Sequence, residues 1–329
     1  MKVAVLSFAH ERAATYARLL HDMPGVDLII ADPGGSPGDP VRGQAVAAEL
    51  DVPYAGSWDE VFALRPEAVV VTSEVARRRE LVERAAEAGA HVLCEQPMAA
   101  TEADARAMVR ACEDAGVRLA LASPVCFSPA FTAVRDGLAD GEAIGQLTTV
   151  HGVYNSPPTG KAEDGGALGA NAAVLFDMVD AVLGGEPAEQ VYAQANSVLS
   201  GDPGVESAAL VSVRYASGTV VSVDCSWSLS AHQSAAGGPA MTFIGERASV
   251  EFNARPRLLG VFDAATSSER WEAGGADLDP VMLGAFLAAD DATGRAAGPD
   301  GAAGVRTLRI IEAARASVRT GQPVDLASA

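Results

Sequence analysis

Short apolar runs alternate with stretches of helical periodicity through the first third of the chain. Five of these runs are predicted strands, namely Lys2–Leu6, Val26–Ala31, Ala68–Thr72, His91–Cys94 and Val117–Leu121. The segments predicted to be helices are Arg12–Leu20, Val41–Leu50, Val75–Ala88 and Glu102–Ala115. Strands that are apolar throughout and separated by amphipathic helices predict a parallel sheet covered on both faces. Because crossovers between parallel strands are right-handed, the sequence predicts a doubly wound α/β domain over residues 1–123.

The pattern changes after residue 123. Val, Thr and Ser alternate over Ala208–Tyr215 and Thr219–Ser228, with the period of two that is typical of strands with one buried face. Ala216-Ser217-Gly218 is the hairpin turn between them. The other predicted elements are strands Gln146–Tyr154, Val191–Leu199, Ala240–Ile244, Ser249–Phe252 and Leu258–Phe262, and helices Ser128–Ala139, Gly165–Leu183, Pro280–Ala289 and Gly301–Thr320. We therefore expect an α/β protein. A Rossmann-type doubly wound parallel sheet is followed over 124–329 by an α+β domain with an open, mostly antiparallel sheet, whose C-terminal helices pack within it or back on the first domain.

Charge and composition exclude several partners. The net charge is −19, with 24 Lys and Arg against 43 Asp and Glu. That balance is the opposite of a nucleic-acid-binding surface, and the basic cluster Arg77-Arg78-Arg79 is interpreted as a solvated helix face. No apolar run is long enough for a membrane span, and the first residues predict a strand rather than a secretory signal. The spacing of Cys94, Cys112, Cys126 and Cys225 fits neither a disulfide framework nor a metal site, so we expect reduced thiols and a cytoplasmic protein.

The turn after the first strand is where a dinucleotide-binding domain holds the pyrophosphate of its cofactor. Glycines are favoured there, because the backbone approaches the phosphates closely at a helix N-terminus. This chain has Ser7, Phe8, Ala9, His10 and Arg12 in that turn. Small residues at 7 and 9 can admit a phosphate and Arg12 can pair with one, whereas an ordinary packed turn is the alternative.

Asp32 ends the second predicted strand. A carboxylate at that position accepts hydrogen bonds from the 2′-hydroxyl of an adenosine ribose and repels a 2′-phosphate, so we expect NAD rather than NADP. The alternative is an aspartate that serves only the turn with Pro33 and Gly34.

The segment from Ala88 to Ala99, AGAHVLCEQPMA, resembles the Gfo/Idh/MocA family of oxidoreductases. The resemblance extends over nearly the whole chain through Ala31-Asp32, Val69–Ser73, Asp164–Leu168, Asp224–Ser228 and Thr320–Val324. It implies hydride transfer between a nicotinamide and a carbinol of a sugar or cyclitol. It also implies a cofactor site that includes Thr72, Ser73, Glu95 and Gln96.

Several positions depart from the family's catalytic pattern. Gln96 stands where the family has lysine, and Ala170 and Val174 stand where it has aspartate and histidine, while Asp177 matches one turn later. Glutamine cannot take a carbinol proton near neutral pH. The usual proton relay is therefore absent by sequence, and Gln96 and Asp177 remain catalytic candidates.

Other residues are candidates for the lost chemistry. Lys161 precedes the Gly165-Gly166 helix start and His151 lies on the predicted strand Gln146–Tyr154; a loop lysine and a sheet histidine are the plain alternatives. The substrate-contact candidates are Cys126, Tyr154, Asn171 and Trp227, with His232 as a further one.

Three functions remain open from the sequence. The first is an NAD(P)-binding oxidoreductase with an altered relay, acting on a small sugar-, cyclitol- or natural-product-like molecule. The second is a non-redox lyase, cyclase or isomerase in which NAD is structural or absent. The third is a non-catalytic binding or regulatory subunit. In each case the resemblance implies a homodimer or homotetramer formed through the sheet of the second domain.

Overall fold

The computed structural model describes residues 1–36, 38–139, 141–157, 165–229, 238–265, 267–274, 277–288 and 298–326. The chain forms two compact units. The first contains Met1–Pro124 and Asp279–Val305, and the second contains Val125–Leu278 and Arg306–Ala329. The functional division into 1–123 and 124–329 stays a prediction.

The first unit contains a six-stranded sheet. Its strands are β1 Lys2–Leu6, β2 Asp27–Ala31, β3 Tyr54–Ala55, β4 Ala68–Val71, β5 His91–Glu95 and β6 Leu119–Ala122. They are all parallel and lie in the order β3-β2-β1-β4-β5-β6, which is the order of a doubly wound dinucleotide-binding sheet. Val3 to Leu6 are fully buried, as a sheet covered on both faces requires. The predicted fold class is confirmed.

Helices connect these strands. They are α1 Ala13–Asp22, α2 Gly43–Leu50, α3 Trp58–Ala63, α4 Val75–Glu87 and α5 Glu102–Ala115. Helix α5 shows the local signals at both ends, because the Thr101 hydroxyl accepts from the Asp104 N–H at the start and Gly116 takes a left-handed conformation at the end.

The second unit contains a mixed sheet of seven strands. Its elements are α6 Pro129–Ala139, β7 Leu147–Asn155, a π-helical turn Leu168–Ala172, α7 Ala173–Leu183, β8 Ala188–Asn196, β9 Ala208–Tyr215, β10 Val220–Ser226, β11 Ala240–Gly245 and β12 Ser249–Asn253. A two-stranded sheet of β13 Arg257–Asp263 and β14 Ser268–Ala273, helices α8 Leu278–Ala288 and α9 Gly301–Thr320 and strand β15 Val324–Asp325 complete the description, with α8 falling almost entirely in the first unit.

The seven-stranded sheet has the order β12-β11-β7-β10-β9-β8-β15. All of its pairs are antiparallel except β7 with β10. Residues of β9 alternate between buried and exposed, which confirms the predicted strand with one buried face. The outer face carries Val153, Tyr192, Leu210 and Val220, each more than one third exposed.

The described part of the chain has no helix long and apolar enough to cross a membrane.

Candidate functional site

The carboxyl ends of β1 and β4 meet at the point where the strand order reverses, which is where open α/β sheets bind ligands. Ser7 follows β1 with φ of +72°, the left-handed conformation that glycine adopts most easily. The hydroxyl of Thr72 donates to the Ser7 carbonyl at 2.8 Å, and the His10 N–H donates to the Thr72 carbonyl at 3.1 Å. The turn therefore keeps a glycine-like backbone although the glycine is gone, and it brings together the predicted residues Ser7, His10 and Thr72.

The other groups of this turn already have partners. The N–H of Phe8 donates to Asp32 at 3.2 Å and that of Ala9 to the Ser7 hydroxyl at 3.3 Å. The Arg12 guanidinium donates to both oxygens of Asp279, at 2.7 and 2.9 Å. The predicted phosphate contact of Arg12 would require that guanidinium to share its charge with Asp279. Ser73 is buried, and its hydroxyl donates to the Glu74 carbonyl.

Asp32 is placed at the carboxyl end of β2, as predicted, and its side chain is only 1% exposed. Arg42 donates to it through Nε and Nη2, each at 2.8 Å. The Gly43 N–H adds a fourth donor at 3.0 Å, beside that of Phe8. The carboxylate charge is thus balanced by a guanidinium that sequence reasoning did not identify.

Glu95 ends β5 and lies among groups that carry protons. Its Oε1 accepts from the Tyr16 hydroxyl at 3.1 Å, and Oε2 accepts from the Gln96 N–H at 3.0 Å. Burial and the Glu95 charge raise the pKa of Tyr16, so its phenol stays a donor. His10 Nδ1 lies 3.3 Å from Glu95 Oε1 and 3.3 Å from the backbone nitrogen of Arg12. A ring protonated at Nδ1 donates to Glu95, and a ring protonated only at Nε2 accepts from the backbone N–H of Arg12.

Gln96 is half-buried beside this cluster, and the Gln96–Pro97 peptide is cis. Its side-chain oxygen accepts from the Met98 N–H at 3.1 Å. Cys94, next along β5, is fully buried, and burial raises the pKa of its thiol to about 12. That thiol is therefore protonated at neutral pH and is no nucleophile.

Arg78 corrects the interpretation of the basic triplet. Arg77 and Arg79 are exposed, but Arg78 is only 1% exposed and points into the sheet end. Its Nε donates to the Ser73 carbonyl at 3.1 Å, and Nη1 donates to the carbonyls of Glu95 and Pro97. This guanidinium fastens the segment after β4 to the segment after β5, because it satisfies carbonyls of both.

In the second unit, Asn171 lies in the π-helical turn and is 2% exposed. Its amide donates to the Tyr154 carbonyl, the Ser156 hydroxyl and the Ser226 carbonyl, at 3.0 to 3.2 Å. These groups lie at the carboxyl ends of β7 and β10, the parallel pair of the sheet. Asn171 is therefore placed as a cross-link between strand ends. Trp227, one residue further, is 4% exposed, and its indole N–H has no partner in the described part of the chain.

The remaining candidates are dispersed. Asp177 is fully buried and accepts from the Thr307 hydroxyl at 2.9 Å. His151 is exposed on the outer face of the sheet, opposite Ser222 and Thr242, whereas Cys126 is buried. Lys161 and His232 lie outside the described residues. No cluster of metal-ligating side chains occurs among the residues that the structure covers.

Comparison with known proteins agrees with this geometry. A family model described as the oxidoreductase family with an NAD-binding Rossmann fold matches residues 37–123, and one for the GFO/IDH/MocA C-terminal domain matches residues 131–251. The chain belongs to the Gfo/Idh/MocA family.

Two relatives of this chain are a sugar reductase and a sugar dehydrogenase. A 1,5-anhydro-D-fructose reductase of Ensifer adhaerens is 35% identical over 190 residues, which cover 54% of this chain and 56% of the reductase. A D-apiose dehydrogenase of Paraburkholderia graminis is 37% identical over 124 residues, which cover 38% of this chain and 32% of that protein. The matched region thus spans about half of the first relative and a third of the second.

Among solved structures, that of GenD2 from gentamicin A biosynthesis in complex with NAD has a TM-score of 0.83. It is 23% identical and covers 100% of this chain and 97% of its own, a likeness that shows the fold.

Proposed function

We propose that this protein is a nicotinamide-dinucleotide-dependent oxidoreductase that acts on a carbinol or carbonyl of a sugar- or cyclitol-like small molecule. The observation that carries the proposal is the turn at the switch point of the first sheet, where Ser7 holds a glycine-like conformation beside Thr72 and His10. This turn would hold the pyrophosphate of the cofactor. Glu95 and Gln96 lie at the same edge of the sheet, at the end of β5 beside β4. The cofactor supplies or accepts the hydride when bound.

Position 96 is a glutamine in this chain, so the proton transfer is assigned to other groups. The Gln96 amide hydrogen-bonds but holds no transferable proton near neutral pH. Asp177 is buried under Thr307, which favours a structural role for this carboxylate. Lys161 and His151 stay candidates for the proton-handling group, and Cys126, Tyr154, Asn171 and Trp227 for substrate contacts.

Calorimetry with NAD and NADP in both redox states tests the cofactor half of this proposal. We expect binding heat and a thermal shift for at least one dinucleotide. If millimolar cofactor gives neither, the oxidoreductase function is wrong and a binding or regulatory subunit replaces it.

Catalysis is then tested by the absorbance of the reduced nicotinamide with a panel of aldoses and cyclitols. Gln96→Lys restores a proton carrier, so we expect activity to rise above that of the wild type. Gln44→Lys, on the exposed face of α2, is the matched control. A bound cofactor that is never oxidised or reduced by either variant would instead favour a non-redox lyase, cyclase or isomerase.

We also propose a homodimer or homotetramer, supported by the apolar residues on the outer face of the seven-stranded sheet. Leu210 is 57% exposed there and Val220 is 41% exposed. Leu210→Asp is expected to lower the mass measured by light scattering to that of a monomer, whereas Val198→Asp, in the loop after β8, leaves it unchanged. A wild-type monomer at micromolar concentration would contradict the proposal. The proposed cytoplasmic location is supported by the four cysteines, which form no disulfide.

A further inference from the structure

Asp32 has no free acceptor for a ribose hydroxyl. An ionised carboxylate offers about four lone-pair positions. Arg42 Nη2 and the Phe8 N–H occupy Oδ1, at 2.8 and 3.2 Å, and Arg42 Nε and the Gly43 N–H occupy Oδ2, at 2.8 and 3.0 Å. A 2′-hydroxyl would have to displace one of these donors in order to bind.

Two glycines close the space around this carboxylate. A Cβ added at Gly35 would stand 2.2 Å from Asp32 Oδ2, and one added at Gly43 would stand 2.5 Å from Asp32 Cβ. The backbone therefore packs directly on both sides of the side chain. Burial and donor saturation together mean that Asp32 positions another group rather than the cofactor.

Arg42 is that group. A guanidinium has five N–H donors, and Asp32 uses one on Nε and one on Nη2. In the part of the chain that the structure describes, the Arg42 side chain makes no hydrogen bond other than those to Asp32. Its side chain is 18% exposed at the carboxyl end of β2, so it is partly open to a ligand there. The paired charges also cancel the repulsion that a bare Asp32 would exert on a phosphate.

We propose that Arg42, held in place by Asp32, reads the 2′-position of the adenosine ribose and that the chain binds the 2′-phosphorylated dinucleotide more tightly than NAD. This inference rests on the proposed function and reverses the NAD preference that Asp32 predicts from sequence. Fork-shaped guanidinium donors match phosphate oxygens in geometry and charge. Arg42 is thus a specificity-determining residue and Asp32 a positioning residue.

The test uses fragments that carry only the adenosine half of the cofactor. Calorimetry of the full chain is run with ADP-ribose and with 2′-phospho-ADP-ribose. We expect the phosphorylated fragment to bind about tenfold to a hundredfold more tightly, the range for hydrogen bonds to a charged group. Arg42→Gln is expected to abolish that difference, because the 2′-phosphate loses its guanidinium and the Asp32 oxygens become available to the 2′-hydroxyl of ADP-ribose.

Arg42→Gln leaves the Asp32 charge without its partner, so the double variant Asp32→Asn/Arg42→Gln removes both charges together. It is expected to lose the preference as well. Arg77→Gln, an exposed change on α4, is the matched control and keeps the preference.

Two outcomes would overturn the inference. Tighter binding of ADP-ribose than of its 2′-phosphate would restore Asp32 as an NAD selector. A preference that survives in both Arg42 variants would place the reading group elsewhere. Failure of both fragments and of both intact dinucleotides to bind is a different result, because it removes the cofactor site and the proposed function with it.

Discussion

Two buried carboxylates at the carboxyl edge of the first sheet have opposite surroundings. Asp32, after β2, is enclosed by fixed donors, namely a bidentate guanidinium and two backbone N–H groups. Glu95, at the end of β5, lies between the phenol of Tyr16 and the imidazole of His10. Asp32 therefore faces a positive charge, whereas the side chains beside Glu95 are a phenol and an imidazole.

On the proposal above, the reading of the cofactor belongs to the Arg42–Asp32 pair, and Glu95 has a different set of neighbours at the same sheet edge. A saturated, neutralised pair acts by shape and by the donors that remain on Arg42. Glu95 instead accepts from the Tyr16 phenol and has the His10 ring 3.3 Å away. Both carboxylates appear equally as acidic residues after a strand in the sequence, so only their neighbours distinguish them.

The largest expected effect is from neutralising Asp32. Asp32→Asn leaves Arg42 without its counter-ion and places an amide NH2 against N–H groups that donated to the carboxylate. For a buried ion pair we expect this change to lower the free energy of unfolding by about 3–5 kcal/mol. The matched change Glu95→Gln keeps an acceptor for Tyr16 and is expected to cost about 1 kcal/mol. Urea denaturation of both variants measures the free energy of unfolding. Equal losses would show that the two environments are alike.

A substitution at Arg78 tests whether the stability of the segment around Glu95 depends on a buried cation. Arg78→Met removes the guanidinium donor from the carbonyls of Ser73, Glu95 and Pro97, so we expect a loss of about 2–3 kcal/mol in the free energy of unfolding. Arg77→Met, on the exposed face of the same helix, should leave stability unchanged. If both variants unfold at the same urea concentration, the triplet is a solvated surface after all.

Tyr16, beside Glu95, is expected to make the free energy of unfolding decrease at alkaline pH. Its pKa in the folded chain is raised above the ordinary value of 10.0, so the stability that it contributes is complete below that pH. Above about pH 10 the unfolded chain releases the phenol proton first, and up to about 1.4 kcal/mol is lost per pH unit. Between pH 8 and about 11, the free energy of unfolding should fall less steeply with pH for Tyr16→Phe than for the wild type. Tyr192→Phe, on the outer face of the other sheet, should retain the wild-type slope.

The smallest effect is expected at Ser7, between the two carboxylates along the strand ends. Ser7→Gly removes the strain of a left-handed backbone conformation, which we expect to stabilise the folded chain by about 1 kcal/mol. The hydrogen bond from the Ala9 N–H to the Ser7 hydroxyl is lost, which offsets part of this gain. A small rise in melting temperature and tighter ADP-ribose binding are the expected readouts. Ser7→Ala loses the hydroxyl without relieving φ and should be destabilised, so a reversed order of the two variants would contradict this explanation.

Most of the fold follows from the sequence because apolar periodicity determines it locally. The buried runs specify β1, β2, β4, β5 and β6, whereas β3 has only two residues and is too short to show a period. Helix α3 was not predicted either, although the Ser57 side chain caps it by accepting from the Glu60 N–H. The π-helical turn at Leu168–Ala172 changes hydrogen bonding without changing which residues are apolar.

The site follows from the sequence only in part. Parallel strands end at one edge, so Ser7, Thr72 and Glu95 could be placed there from position alone. The partner of Asp32 could not, because Arg42 lies ten residues further on, after a Pro- and Gly-rich stretch, and reaches back through tertiary structure. The composition of the arginine triplet does not show which residue is buried, but helix phase does, because Arg78 lies three residues before Leu81 and four before Val82 on the buried face of α4.

The first unit is discontinuous, and this has a consequence for how the protein is made. The β6 strand receives its outer hydrogen bond when the Leu121 N–H donates to the Pro299 carbonyl, and Arg12 finds its carboxylate at Asp279. A nascent chain stalled on the ribosome before residue 279 would carry the six-stranded sheet without the Pro299 carbonyl at the β6 edge and Arg12 without Asp279. Synthesis order alone therefore delays a finished nucleotide domain until almost the whole polypeptide has emerged.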